Sequence, residues 1–136
     1  MVLKNKLILI IDDDPLTLKM LDIFFKSKGA RVLLEKDCQN ALITIDKVKP
    51  DITILNIDEF YMRDDESCRI IRERFSRVVS PVIFTSTMPE YEYNDRASYL
   101  RGLNYFQKPY SLSNLAERAF KVLGVEETEG TLQTYH

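Results

Sequence analysis

The chain has 136 residues, 45% hydrophobic and 29% charged, which fits one domain whose core needs neither disulfides nor a metal. Nineteen basic residues face 21 acidic ones, a net charge of −2, and that balance argues against a nucleic-acid binder. The longest apolar run, Leu7–Ile11, has five residues; it is too short to cross a membrane or to serve as a signal peptide, so a cytoplasmic protein is expected.

Leu7–Ile11 is apolar on both faces, as in a strand covered by helices above and below. Asp14-Pro15 supplies an N-cap and a proline at the first helical position. Leu16, Met20, Ile23 and Phe24 then recur at helical spacing, and Gly29 closes the helix. Arg31–Glu35 reads as a second strand. Asp37 caps a helix with Ala41, Leu42, Ile45 and Val48 on its apolar side, stopped by Pro50. Ile52–Leu55 is a third strand ending in Asn56-Ile57-Asp58-Glu59. Asp64 is expected to cap a helix that buries Ile70, Ile71 and Phe75. Pro81–Thr85 is a fourth strand, followed by Ser86-Thr87. Residues 90–101 suggest a weaker helix, Leu103–Phe106 a fifth strand, and Ser111 the cap of a last helix with Leu115, Ala119, Phe120 and Leu123 on one face. Strands alternating with helices predict an α/β fold, a three-layer doubly wound five-stranded parallel sheet. The domain is expected to span residues 1–123. Residues 124–136 carry three glutamates and no basic residue, and are expected to form a flexible tail or linker stub.

Several chemistries are excluded. Cys38 and Cys68 form no CxxC and the only histidine is His136, so the paired ligands of a zinc site are missing. The four glycines never cluster, which removes both the GxGxxG turn and the P-loop. In an open parallel sheet the binding crevice lies beyond the C-terminal strand ends. The residues placed there are Asp12 and Asp13, Asn56 and Asp58, Ser86 and Thr87, and Lys108. Carboxylate oxygens suit Mg²⁺, while a hydroxyl and an ammonium suit an oxyanion. A helix dipole explains Asp14, but not the mutually repelling Asp12 and Asp13.

The run Ile8–Pro15, Pro50-Asp51 leading to Asn56, Pro81-Val82-Ile83 leading to Ser86, and Tyr105-Phe106-Gln107-Lys108-Pro109-Tyr110 together resemble a response-regulator receiver domain over residues 5–123. The resemblance implies a flavodoxin-like receiver fold with strand order 2-1-3-4-5. It also implies two-component phosphorelay signalling of the bacterial type, in which an aspartate ending the third strand takes a phosphoryl group from a histidine kinase. On that pattern Asp12 and Asp13 form the acidic pocket, and Ser86 and Lys108 contact phosphoryl oxygens. Tyr105 is then the switch aromatic, and a weak or absent Mg²⁺ site would use Asp12, Asp13, Asn56 and Asp58, the last through its backbone. The phosphoacceptor position is Asn56. An uncharged amide with delocalised lone pairs does not attack phosphorus as a carboxylate does. The loop also departs from the family pattern at Phe60 and Asp64. A degenerate receiver is expected, not an enzyme, acting through contacts with a sensor histidine kinase or another signalling protein and touching neither nucleic acid nor membrane.

Asp58 as a substitute acceptor would require a two-residue shift that the spacing to Ser86 and Lys108 does not support. A small Mg²⁺-dependent phosphohydrolase of the haloacid-dehalogenase type is the alternative. Leu16 stands where its motif wants Thr or Val. Five of the seven tyrosines (Tyr91, Tyr93, Tyr99, Tyr105, Tyr110) fall within residues 91–110. They fit either ordinary packing or an interface core, and the second option includes a homodimer through the 90–123 face.

Overall fold

The structure is a computed structural model that describes residues 3–58, 66–75, 77–89 and 104–125. In chain order the elements are β1 (Leu7–Ile11), α1 (Pro15–Ser27), β2 (Arg31–Glu35), α2 (Cys38–Val48), β3 (Ile52–Asn56), α3 (Glu66–Phe75), β4 (Val82–Ser86), β5 (Asn104–Gln107) and α4 (Leu112–Leu123). All pairings are parallel, and the sheet order is β2-β1-β3-β4-β5, as the resemblance implies. The expected helix over 90–101 and the cap Asp64 lie outside the described residues.

Sequence alternation sorts the strands onto two apolar layers. Leu9, Ile11, Leu55, Val82 and Phe84 face Ala41, Leu42 and Ile45 of α2 and Phe75 of α3. Ile8, Ile10, Ile52, Ile54 and Ile83 face Leu18, Leu21 and Phe25 of α1 and Leu115, Ala116, Ala119 and Phe120 of α4. β3 and β4 are buried along their whole length, as strands with helices on both faces must be. Every helix start that shows a side-chain cap uses a residue legible in the sequence: Asp14 accepts from the Leu16 and Thr17 amides. Asp37 accepts from those of Gln39 and Asn40, and Ser111 from that of Asn114.

The buried face of α1 differs from the expected one. Leu16, Met20 and Ile23 are 75%, 44% and 60% exposed, whereas Leu18, Leu21 and Phe25 are buried. The helix has apolar residues almost all round, so periodicity alone offers two competing stripes. The tether from β1 through the Asp12–Asp14 turn decides which one meets the sheet. The same correction applies, more mildly, to Val48 and Ile70, which are exposed. On each helix the residues nearest the sheet axis (Ala41, Leu42, Ile45 and Phe75) do the burying.

Candidate functional site

The short register offset between strands builds the site. Ile11 pairs with Leu55, Asn56 with Thr85, and Ser86 with Gln107, so the residues that leave these strands emerge side by side at one sheet edge. Asp12, Asp13, Asn56, Asp58, Ser86 and Lys108 all meet there. They form two linked halves.

The first half is acidic. Asp12 is 3% exposed, and both of its oxygens are engaged. Oδ1 accepts the Asp14 amide at 2.9 Å and the Asn56 Nδ2 amide at 3.4 Å, while Oδ2 accepts the Lys108 ammonium at 3.1 Å. Asn56 also donates from Nδ2 to Asp13 Oδ1 at 3.3 Å, and its own Oδ1 accepts the Asp58 backbone amide at 3.4 Å. These partners fix the amide's orientation: turned over, its carbonyl oxygen would face two carboxylates. Burial pushes the Asp12 carboxyl above its ordinary value of 3.8; the Asp14 amide and Lys108 oppose that shift and the Asp13 charge adds to it.

The second half is built from neutral donors. Asp58 Oδ1 accepts the Ser86 hydroxyl at 2.6 Å, the Thr87 backbone amide at 2.9 Å and the Thr87 hydroxyl at 3.3 Å. Ser86 Oγ in turn accepts the Met88 amide at 2.9 Å, and its carbonyl accepts the Lys108 amide at 2.6 Å. The Tyr105 hydroxyl donates to the Met88 carbonyl. Lys108 precedes a cis peptide bond to Pro109. Beside it an open depression of about 340 Å³ is lined by Thr17, Met20, Thr87, Lys108, Pro109 and Tyr110. Burial, with a smaller push from the Asp12 charge, raises the Tyr110 phenol to about 12.

Sequence reasoning placed these residues at one edge but missed the role of the Asp58 side chain and of the Thr87 amide. The signal was partial: parallel pairing sets an acid two residues past one strand end opposite the Ser-Thr pair that leaves the next strand. For a hard cation the fit is partial. Two carboxylates are at hand, but Asn56 points donor hydrogens at them where a third anionic oxygen would be wanted. Among the described residues, no group of three or more His, Cys, Asp or Glu could hold a metal ion. Also among the described residues, no helix is long and apolar enough to cross a membrane. Tyr91, Tyr93 and Tyr99 lie outside the described residues, and Tyr105 and Tyr110 are half-buried.

Known proteins can be set beside this geometry. The chain is 28% identical over 116 residues to the heme response regulator HssR of Staphylococcus saprophyticus, covering 85% of this chain and 50% of that protein. It is 30% identical over 114 residues to the transcriptional regulatory protein TrcR of Mycobacterium tuberculosis, covering 82% of this chain and 42% of that one. The chain thus spans half or less of the length of these relatives. A two-component response regulator from Clostridium difficile superposes with a TM-score of 0.71 at 25% identity, covering 88% of this chain and 96% of that chain. A Francisella response regulator receiver domain gives a TM-score of 0.72 at 22% identity, with 88% and 98% covered, and speaks to the fold. A family model described as the response regulator receiver domain matches residues 8–120. Spanning all five strands and most of the last helix, that match makes the chain a member of the response regulator receiver domain family.

Proposed function

We propose that this receiver domain signals through protein contacts without being phosphorylated at the usual position. The observation that carries the reading is Asn56: an amide stands where the family's acceptor carboxylate would be, and its Nδ2 is spent on Asp12 and Asp13. Asp12 is no substitute nucleophile, since it is buried with both oxygens held. That engagement also speaks against the phosphohydrolase alternative, whose first aspartate must attack phosphorus, and the domain is read as non-enzymatic. Asp12 and Asp13 form the acidic pocket, Ser86 and Lys108 stand at the phosphoryl-contact positions, and Tyr105 at the switch position. Mg²⁺ binding through Asp12, Asp13, Asn56 and the Asp58 backbone is weak or absent, because one anionic ligand has been replaced by a neutral one. Partners are a sensor histidine kinase or another signalling protein, and the 90–123 face is offered for a homodimer. The domain occupies residues 1–123, with 124–136 as tail or linker, in the cytoplasm and without a nucleic-acid or membrane role of its own.

The test is incubation with acetyl phosphate and Mg²⁺ followed by intact-mass measurement. The parent chain is expected to gain no phosphoryl mass, while Asn56→Asp gains one. A stoichiometric adduct on the parent chain, at Asp58 or Asp13, would overturn the reading.

A further inference from the structure

We infer that the Asp58 carboxylate is a tethered internal anion, which occupies the donor set of Ser86 and Thr87 and so latches the ends of β3, β4 and β5 together without any external anion. The inference rests on the reading of Asn56 as a non-acceptor and adds how the hydroxyl side of the same site is regulated. Three donors converge on one oxygen, Asp58 Oδ1: the Ser86 hydroxyl, the Thr87 backbone amide and the Thr87 hydroxyl. A hydroxyl and a main-chain N–H aimed at one point are what an oxyanion binds to, and a charged acceptor makes each bond shorter and stronger than a neutral one would. The 2.6 Å Ser86 contact falls in that charge-assisted range.

The donors are not free to turn elsewhere at no cost. Ser86 is fully buried at the end of β4, and its oxygen is simultaneously held by the Met88 amide. From there the connection runs onward by two routes. The Met88 carbonyl accepts the Tyr105 hydroxyl on β5, and the Ser86 carbonyl accepts the amide of Lys108, whose ammonium pairs with Asp12. One carboxylate two residues beyond β3 thus bears on the loop after β4, on an aromatic of β5, and on the lysine of the acidic pocket. A tethered group competes at an effective concentration in the millimolar range or higher, so a free oxyanion does not displace it readily. The β4–β5 edge is accordingly held in one arrangement at all times, and whatever binds that edge does so without a phosphoryl trigger.

Amide hydrogen exchange and side-chain NMR on the full chain test this. In Asp58→Ala the Thr87 N–H is expected to exchange at least tenfold faster, and the Tyr105 ring signals to shift or broaden. Ser86→Ala, which keeps the carboxylate, is expected to move Met88 and Tyr105 in the same direction. Inorganic phosphate, a free oxyanion offered to the same donors, leaves Thr87 and Tyr105 of the parent chain unmoved. Thr87 exchange within twofold of the parent in Asp58→Ala, Met88 and Tyr105 unmoved in Ser86→Ala, and a phosphate-induced shift of Thr87 in the parent would each overturn the latch. The two readings fail separately: a phosphoryl adduct on the parent defeats the non-acceptor role of the site, whereas unchanged exchange with no adduct defeats the latch alone.

Discussion

The two halves of the site solve the same problem, a carboxylate at a strand end, by different physics. Asp12 is buried beside a second acid, and its charge is sustained by the Lys108 ammonium and by the Asn56 and Asp14 N–H groups. Asp58 is half exposed, has no cation among its hydrogen-bond partners within the described residues, and accepts from two hydroxyls and an amide. The first arrangement balances a large desolvation cost against Coulomb attraction and responds steeply to any change of charge. The second is charge-assisted hydrogen bonding from uncharged donors, where each bond is worth about 1.5 kcal/mol. The first should therefore answer strongly to pH, salt and divalent ions.

The strongest way to break that comparison is Lys108→Ala. It strands the buried Asp12 charge and should cost about 3 kcal/mol at pH 7, read from denaturant midpoints. Its pH dependence carries the sign. Because burial raises the folded-state value of Asp12, its contribution to stability is fully present below the ordinary value of 3.8 and is lost as pH rises through the folded value. Removing Lys108 takes away a force that lowers that value, so the loss should extend further toward neutral pH. A Lys108→Ala penalty that is small and flat with pH would dissolve the distinction between the halves.

Next in size is Asn56→Asp in EDTA. A third carboxylate would replace the amide now bonded to Asp12 and Asp13. Two unit charges ~4 Å apart repel by roughly 4 kcal/mol at an effective dielectric near 20, and solvent at the crevice mouth cuts this several-fold. A destabilisation of about 1 kcal/mol is expected, narrowed or reversed by Mg²⁺ through mass action, and isothermal titration should show tighter Mg²⁺ binding than in the parent chain. Equal melts in EDTA would count against the charge balance proposed for the acidic half. Ser86→Ala on the neutral side should cost about 1 kcal/mol, with the same loss in EDTA and in Mg²⁺. Smallest of all is an alkaline effect. Tyr110 ionises at about 12 in the folded chain, so the stability it contributes is present up to its ordinary value of 10 and lost as pH rises toward 12. Tyr110→Phe should delete a step near pH 12 from the phenolate absorbance titration, and a titration unchanged by that substitution would place its ring elsewhere.

Much of the architecture was readable because it depends on short-range rules. The apolar strands, the caps Asp14, Asp37 and Ser111, and the stops at Gly29 and Pro50 each follow from one or two residues. The edge that gathers Asp12, Asn56, Ser86 and Lys108 follows from parallel topology. What was not readable depends on choices among equals. α1 carries two apolar stripes, and only its docking on the sheet selects Leu18, Leu21 and Phe25 over Leu16, Met20 and Ile23. From sequence Asp58 reads as a backbone ligand or a substitute acceptor, because nothing in a linear pattern says whether a side chain two residues past a strand turns outward or across to the next strand. Its bond to Ser86 spans 28 positions.

The doubly engaged carboxylate of Asp12 has a consequence for how such sequences are interpreted. One of its oxygens accepts the Asp14 amide in the turn that launches α1, so this acid also serves as a joint between the first strand and the first helix. That joint is needed by the fold independently of any phosphoryl chemistry. The acidic residue thus has a structural duty of its own, and its presence in a motif testifies to how the backbone is held whether or not a phosphoryl group is ever bound.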